Sequence, residues 1–332
     1  MRWKVLAGLR FFLAWVVVCE HLKVYIPDAN NNVFLIFSKL NALTAVFVFI
    51  FLSGYSIAHS VNKNPEGFYR RRIFRIYPLY FCAVIFSLIP FWVLGSTIEM
   101  SKGNVPQPEL FTVAGNFVFL QTFLVGNMAS NPPLWTLGVE VFAYIVAPLF
   151  IKLNNKAWIA IIGLSATLYA TYPYFYKFIY PNLNRVPHPA SNDYGISFII
   201  LLWAWLLGAL YFREGDKLYS KIMLIAVGCL VLLLNQNYTG KVAIFTYTVS
   251  CLILIFSDRI KLPKAVLDIF NYLGDLSYPL YLFHVPTIIF GYAALGIKNS
   301  TTLAFLSLVI SMLFYHVVEL PLRPKRKTAV SG

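Results

Sequence analysis

Two ionisable residues of the first apolar stretch could bind an anion and transfer a proton. Arg10 and His21 lie in LRFFLAWVVVCEH, which contains one further charge, Glu20. Ionisable residues inside a membrane span are costly and are usually functional. Eleven residues turn a helix through about 1100°, so both side chains share one face and lie about 16 Å apart along the axis. We therefore expect Arg10 and His21 to serve two different ends of one site.

Two further ionisable residues, Glu140 and His284, fall in other apolar stretches. Each lies about 9 Å below the predicted outer end of its helix, and His21 lies at a similar depth. A histidine with a carboxylate nearby is a common general base near neutral pH. The alternative is that each residue pairs locally and helps the helices to pack. We interpret His21, Glu140 and His284 as a catalytic layer, with Glu20 facing a different neighbour.

A second group of polar residues gathers near the opposite ends of the helices. Arg70, Arg71, Arg72 and Arg75 lie in RRRIFRIYPLY. Such arginines bind phosphate through forked hydrogen bonds, but they also fix topology and contact anionic lipid. Spacing alone does not decide between these roles. The nearby SGY segment adds polar groups at Ser53 and Tyr55, whereas its glycine, Gly54, is typical of a close helix contact.

The elements that must position these residues are predicted to be membrane-spanning helices. Of the 332 residues 59% are hydrophobic and 12% are charged, whereas about a quarter are charged in a soluble domain. A span needs about 20 apolar residues. We predict a single all-α polytopic domain over residues 1–332 with about ten spans. They lie at roughly 5–26, 39–59, 77–97, 112–150 (an interfacial segment, then a span from about 134), 157–173, 196–212, 218–234, 241–257, 271–291 and 300–319.

The distribution of basic residues predicts the orientation of these spans. A net charge of +14 would suggest a nucleic-acid partner in a soluble protein. Here the charges fall mostly in short loops, so the positive-inside rule explains them, and we expect membrane lipid and no nucleic acid as a partner. With both termini cytoplasmic, most Lys and Arg lie inside, including Lys325, Arg326 and Lys327. The outer side receives Lys23, Lys39, Lys102, Lys177, Arg185, Lys241 and Lys298.

The four cysteines all fall within apolar runs. We interpret them as lipid-buried thiols and expect neither a disulfide nor a metal site. The first apolar stretch follows a short basic start without a small-residue cleavage site, which favours a retained helix over a signal peptide.

Taken together, these segments resemble the acyltransferase 3 family of membrane O-acyltransferases. Arg10 and His21 match its signature of an arginine, ten residues and a histidine. Glu140 lies in a segment similar to the Trp-Ser-Leu-x-Val-Glu pattern, with Thr136 at the serine and Val141 where relatives often have a second acid. His284 lies in one similar to the Ser-Tyr-x-Leu-Tyr-Leu-x-His-x-Pro pattern. The resembling segments, in order, are LRFFLAWVVVCEH, FVFIFLSGYSI, RRRIFRIYPLY, PPLWTLGVEVFAYIVAP, LGDLSYPLYLFHVP and HVVELP.

The resemblance implies an acyl-CoA donor, usually acetyl-CoA, bound from the cytoplasm. In this interpretation Arg71, Arg72 and Arg75 hold the phosphates of CoA. Arg10 lines the path of the pantetheine arm. Ser53 and Tyr55 complete the donor site.

The resemblance also implies a carbohydrate acceptor, either a surface polysaccharide or a lipid-linked glycan. His21, helped by Glu140, would deprotonate its hydroxyl at the thioester; a covalent acyl-His21 intermediate is the alternative. We expect O-acetylation of O-antigen, lipopolysaccharide or exopolysaccharide in a bacterial inner membrane, without a fused extracytoplasmic domain. The alternatives are succinyl transfer, another acceptor, or a glycan transporter, although transporters typically show internal repeats, which we do not find.

Overall fold

Helices occupy all ten stretches that the sequence predicts as spans. The computed structural model describes residues 1–27, 33–101, 103–182, 195–215, 217–236 and 240–323. Lys102, Arg185 and the basic residues 325–327 used in the orientation argument lie outside these ranges. The main helices are α1 (Arg2–Tyr25), α2 (Ala42–Lys63), α3 (Phe68–Phe86), α4 (Ile89–Leu94), α5 (Leu110–Phe117), α6 (Trp135–Lys152), α7 (Asn155–Ile179), α8 (Ile196–Glu214), α9 (Leu218–Leu234), α10 (Val242–Phe256), α11 (Lys264–Ala293) and α12 (Ser300–Phe314).

Six segments of the described chain are long and apolar enough to cross a membrane, which confirms an α-helical membrane fold. The predicted number of ten spans and the cytoplasmic placement of both termini stay predictions. The helices α9 and α10 are apolar but short, and the long helices α7 and α11 carry more polar residues. The six segments are Arg2–Tyr25, Ala42–Lys63, Phe68–Leu94, Pro132–Lys152, Ile196–Glu214 and Ser300–Leu322.

The helices α2 and α8 touch backbone to backbone at two glycines. A Cβ atom on Gly54 would lie 1.9 Å from the carbonyl oxygen of Trp205, and one on Gly208 would lie 1.8 Å from that of Phe51. Small residues allow such close approach between membrane helices, where packing replaces the hydrophobic effect. Gly54 is therefore a helix-contact residue, and this contact fixes Ser53 beside it.

The helices α1 and α11 run in the same direction and pack along their lengths. A Cβ atom on Gly274 would lie 2.3 Å from Cβ of Ala7, and one on Gly8 would lie 2.6 Å from the ring of Phe270. Farther along, His21 of α1 meets His284 of α11. This parallel pairing fixes the relative positions of the two histidines.

A short β-hairpin, which the sequence analysis does not predict, follows α4. Strands β1 (Thr97–Met100) and β2 (Gly103–Pro106) pair antiparallel, with Ile98 opposite Val105. Both of these side chains are buried and pack with Val285 and Ile289 of α11. The predicted span over 77–97 is therefore too long, because α4 ends at Leu94. The next residue, Gly95, has a φ of 97°, which an L side chain rarely adopts. The hairpin covers the part of α11 that follows His284.

A short π-helical turn, Tyr315–Glu319, follows α12. It leads into α13 (Leu320–Leu322). Such turns are frequent at functional sites because the wider turn redirects side chains. Here it precedes Arg323, and Glu319 and Arg323 both line the central cavity described below.

We expect Gly208→Ala to destabilise the protein by about 1–3 kcal/mol, since the added methyl group overlaps the backbone of α2. The thermal midpoint of the detergent-solubilised protein measures this loss. Gly163→Ala on α7 is the matched control, because a Cβ atom added there would meet nothing within 4 Å. Equal midpoints for the two variants would contradict the α2–α8 contact.

Candidate functional site

Two of the predicted catalytic residues, His21 and His284, are direct neighbours. Nε2 of His284 lies 3.2 Å from Nδ1 of His21, and the ring centroids are 5.0 Å apart. His284 is fully buried, whereas His21 keeps some exposure. On its other side the His21 ring stacks near Tyr25, at 6.5 Å between centroids and 20° between planes.

A large cavity opens in the middle of the helix bundle. About 1220 Å³ of space that no protein atom fills lies there, part of it open to the surroundings. Its walls come from α1, α2, α3, α6, α8, α11 and the π-helical turn. Its polar lining residues are Arg10, Ser53, Ser56, Arg72, Arg75, Thr136, Glu140, Tyr144, Asp275, Ser277, Tyr278, Tyr281, Glu319 and Arg323.

Three arginines of this cavity have no carboxylate partner at ion-pair distance among the described residues: Arg10, Arg72 and Arg75. Nε of Arg72 is buried without a hydrogen-bond acceptor, and its guanidinium lies 5.7 Å from the ring centroids of Phe68 and Tyr144. A buried charged donor without an acceptor is expensive. The cavity is therefore suited to an anionic ligand.

Glu140 belongs to this cavity and not to the histidine pair. Its Oε1 accepts a hydrogen bond from Oγ of Ser53 at 3.0 Å and another from the hydroxyl of Tyr144. The hydrogen bonds of His21 go instead to the carbonyl of Val17 and to His284. The prediction of a layer with Glu140 beside His21 is therefore not matched by the hydrogen bonding. Similar depth in the membrane does not make neighbours of residues on different helix faces.

Two residues predicted for the donor site lie elsewhere. Arg71 is exposed and donates to the carbonyl oxygens of Asn64 and Glu66, just before α3. The Tyr55 hydroxyl accepts from Arg2, which pairs with Asp258. Both residues are absent from the lining of the central cavity. Of the donor residues predicted from the sequence, the cavity brings together Arg10, Ser53, Arg72 and Arg75.

An ion-pair network at the cavity wall escaped the sequence analysis. Arg323 pairs with Asp275 at 2.9 Å and with Glu319 at 2.5 Å. The sequence contained a signal for it, since a glutamate four residues before an arginine is typical of a helix-surface pair. Asp275 lies in the same motif as His284 and was the overlooked charge of that stretch.

Two tyrosines of α11 line the cavity, and one of them, Tyr281, also contacts the histidine pair. The Tyr281 hydroxyl accepts from Oγ1 of Thr136 at 3.0 Å, and its ring centroid lies 6.1 Å from that of His284. One turn earlier, the Tyr278 hydroxyl donates to the carbonyl of Ile76 at 3.0 Å. Tyr281 and Thr136 both line the cavity, so the Tyr281 side chain separates the cavity from His284.

These features define an integral membrane protein with an arginine-lined chamber near a pair of contacting histidines. Comparison with known families adds the class of reaction. The model of the acyltransferase 3 family, described as an acyltransferase domain, matches residues 4–316. The chain therefore belongs to this family of acyltransferases, and the resemblance drawn from its motifs is confirmed.

Two relatives carry names from the same class. A protein of Acidianus two-tailed virus, ORF330, whose name assigns it provisionally as an acetyltransferase, is 23% identical over 68% of this chain and 66% of its own length. The acyltransferase MdmB of Streptomyces mycarofaciens is 27% identical over 49% of this chain and 44% of its own length. The matched part thus covers less than two thirds of either relative. No solved structure matches the chain.

We expect Arg323→Gln to lower the free energy of unfolding by roughly 1–3 kcal/mol, because Asp275 and Glu319 lose their counter-charge. The figure lies below that for a buried pair because the Arg323 side chain is 37% exposed. Chemical denaturation in detergent measures the change. The double variant Arg323→Gln, Glu319→Gln should recover part of the loss, and no recovery would contradict the network.

Proposed function

We propose that the protein is a membrane O-acetyltransferase that moves an acetyl group from cytoplasmic acetyl-CoA to a hydroxyl of an extracytoplasmic glycan. The observation that carries the proposal is the chamber near the His21–His284 pair, whose Arg10, Arg72 and Arg75 have no ion pair with any residue that the structure describes. Membership of an acyltransferase family supports the group that is transferred. The acceptor is a polysaccharide of the O-antigen, lipopolysaccharide or exopolysaccharide type, and the location is a bacterial inner membrane.

The donor phosphates bind at Arg72 and Arg75, with Arg10 deeper along the path of the pantetheine arm. All three guanidinium groups line the cavity without an ion pair among the described residues. Phosphate oxygens would satisfy the buried Nε of Arg72. Arg71 contributes nothing to this binding, since its guanidinium is bonded to backbone carbonyls.

The transfer itself takes place at His21. In the first route His21 accepts the proton of the sugar hydroxyl while the hydroxyl oxygen attacks the thioester carbonyl carbon. The carbon–sulfur bond then breaks, and the CoA thiolate takes the proton back from the imidazolium. In the second route His21 attacks the thioester carbonyl carbon and expels the CoA thiolate. The sugar hydroxyl then attacks the acetyl-imidazole, the carbon–nitrogen bond breaks, and the hydroxyl proton leaves with the CoA thiolate. Glu140 acts on the donor side in both, through Ser53 and Tyr144.

We expect purified protein to release CoA from acetyl-CoA only when a bacterial polysaccharide extract is added. His21→Ala should lower this rate by at least about 100-fold, as loss of a general base does, and Arg10→Ala should weaken it as well. A thiol-reactive dye follows the released CoA. A His21→Ala variant that folds and keeps the wild-type rate would contradict the assignment of His21.

A succinyl-CoA arm tests the choice of donor within the same assay. Equal turnover with both donors would overturn the acetyl assignment while leaving acyl transfer intact. Neither turnover nor acetyl-CoA binding by the folded wild type would overturn the proposed function.

We expect Arg72→Gln to weaken acetyl-CoA binding by roughly 10- to 100-fold, because one charge-assisted phosphate contact is lost. Arg71→Gln is the matched control and should bind like the wild type. Isothermal titration in detergent compares the two. If Arg71→Gln weakened binding as much as Arg72→Gln, the phosphates would lie outside the cavity.

A further inference from the structure

The hydrogen bonds of the His21–His284 pair leave one ring nitrogen available for chemistry. We propose that His284 is a positioning residue that holds His21 in the Nδ1–H tautomer and leaves Nε2 of His21 as the atom that takes the acceptor proton. This inference rests on the proposed function for the identity of the acceptor. The tautomer itself follows from the hydrogen bonds alone.

In His284 the ring proton lies on Nδ1. Its Nδ1 lies 3.0 Å from the carbonyl oxygen of Leu280. A carbonyl can only accept, so this nitrogen carries the proton. The ring is fully buried, and no carboxylate hydrogen-bonds to it among the described residues, so the neutral form is favoured. Nε2 of His284 is therefore an acceptor.

The tautomer of His21 follows from its two neighbouring acceptors. Its Nδ1 lies 2.9 Å from the carbonyl oxygen of Val17 and 3.2 Å from Nε2 of His284. Both of these atoms are acceptors, so Nδ1 of His21 carries the proton and shares it between them. Nε2 of His21 is left with its lone pair, and no described residue donates a hydrogen bond to it.

Both histidines thus make the same hydrogen bond to their own helix. Each Nδ1 bonds the carbonyl one helical turn earlier, which orients the ring along its helix. Where the two helices meet, Nδ1–H of His21 donates a hydrogen bond to Nε2 of His284. His21 is partly exposed and His284 is not, so His21 is the member of the pair that a substrate can contact.

His284 therefore takes the place that a carboxylate holds beside a catalytic histidine in other hydrolytic and transfer enzymes. When Nε2 of His21 accepts the hydroxyl proton, the ring becomes an imidazolium. Its Nδ1–H bond to His284 becomes charge-assisted and strengthens. The proton on Nε2 later leaves with the CoA thiolate, so His284 never needs to change its protonation. Glu140 remains on the donor side.

Nitrogen NMR of isotope-labelled histidine in the full-length protein tests the tautomer without any substrate. The signals of the two residues are those lost in His21→Gln and in His284→Leu. We expect both rings of the wild type to be neutral, protonated at Nδ1 and unprotonated at Nε2. Protonation of His21 at Nε2, or a charged ring on either residue at neutral pH, would overturn the inference even if the protein transfers no acetyl group.

Turnover of two His284 variants of similar bulk tests its positioning role. His284→Leu offers no acceptor to Nδ1 of His21 and should lower kcat roughly 10- to 100-fold with the KM for acetyl-CoA unchanged. His284→Gln offers an amide oxygen and should recover most of this loss. Equal kcat in both variants, or a loss confined to KM, would contradict positioning. A wild type that shows the expected tautomer without turnover would refute the proposed function and leave the histidine geometry standing.

Discussion

Placing several arginines inside a bundle of apolar helices is the constraint around which this structure is built. A guanidinium in a low-dielectric interior needs a counter-charge, an acceptor or contact with water. Arg323 meets this need with Asp275 and Glu319, and Arg213 meets it with backbone carbonyls at the end of α6. Arg10, Arg72 and Arg75 instead face the cavity. The cavity gives these three side chains contact with open space in place of a counter-charge on the protein.

Close packing of helix pairs turns this chamber into a defined site. The glycine contacts of α2 with α8 and of α1 with α11 leave no room for one helix to slide along the other. The first contact fixes Ser53 toward Glu140, and the second fixes His21 toward His284. The arginine-lined chamber and the histidine pair therefore occupy two ends of one rigid frame.

Much of this could be predicted from residue types and spacing. The apolar stretches located the helices, and the rarity of charge within them singled out Arg10, His21, Glu140 and His284. The position of each residue along its own helix was also predictable. The rotation of one helix relative to another was not, because it depends on packing between segments distant in the sequence. For that reason Glu140 was expected beside His21 but is hydrogen-bonded to Ser53. Arg71 was likewise expected to bind the donor phosphates but donates hydrogen bonds to backbone carbonyls.

The position of Tyr281 has a consequence for the membrane as an electrical barrier. A water-filled path from the arginine chamber past the histidines would let protons flow between the two compartments. Tyr281 lines the chamber, is held by Thr136, and places its ring against Phe49 on one side and His284 on the other. The Tyr281 ring therefore lies between the chamber and His284. A ring in this position fills space that a continuous water path between the chamber and the histidine pair would need.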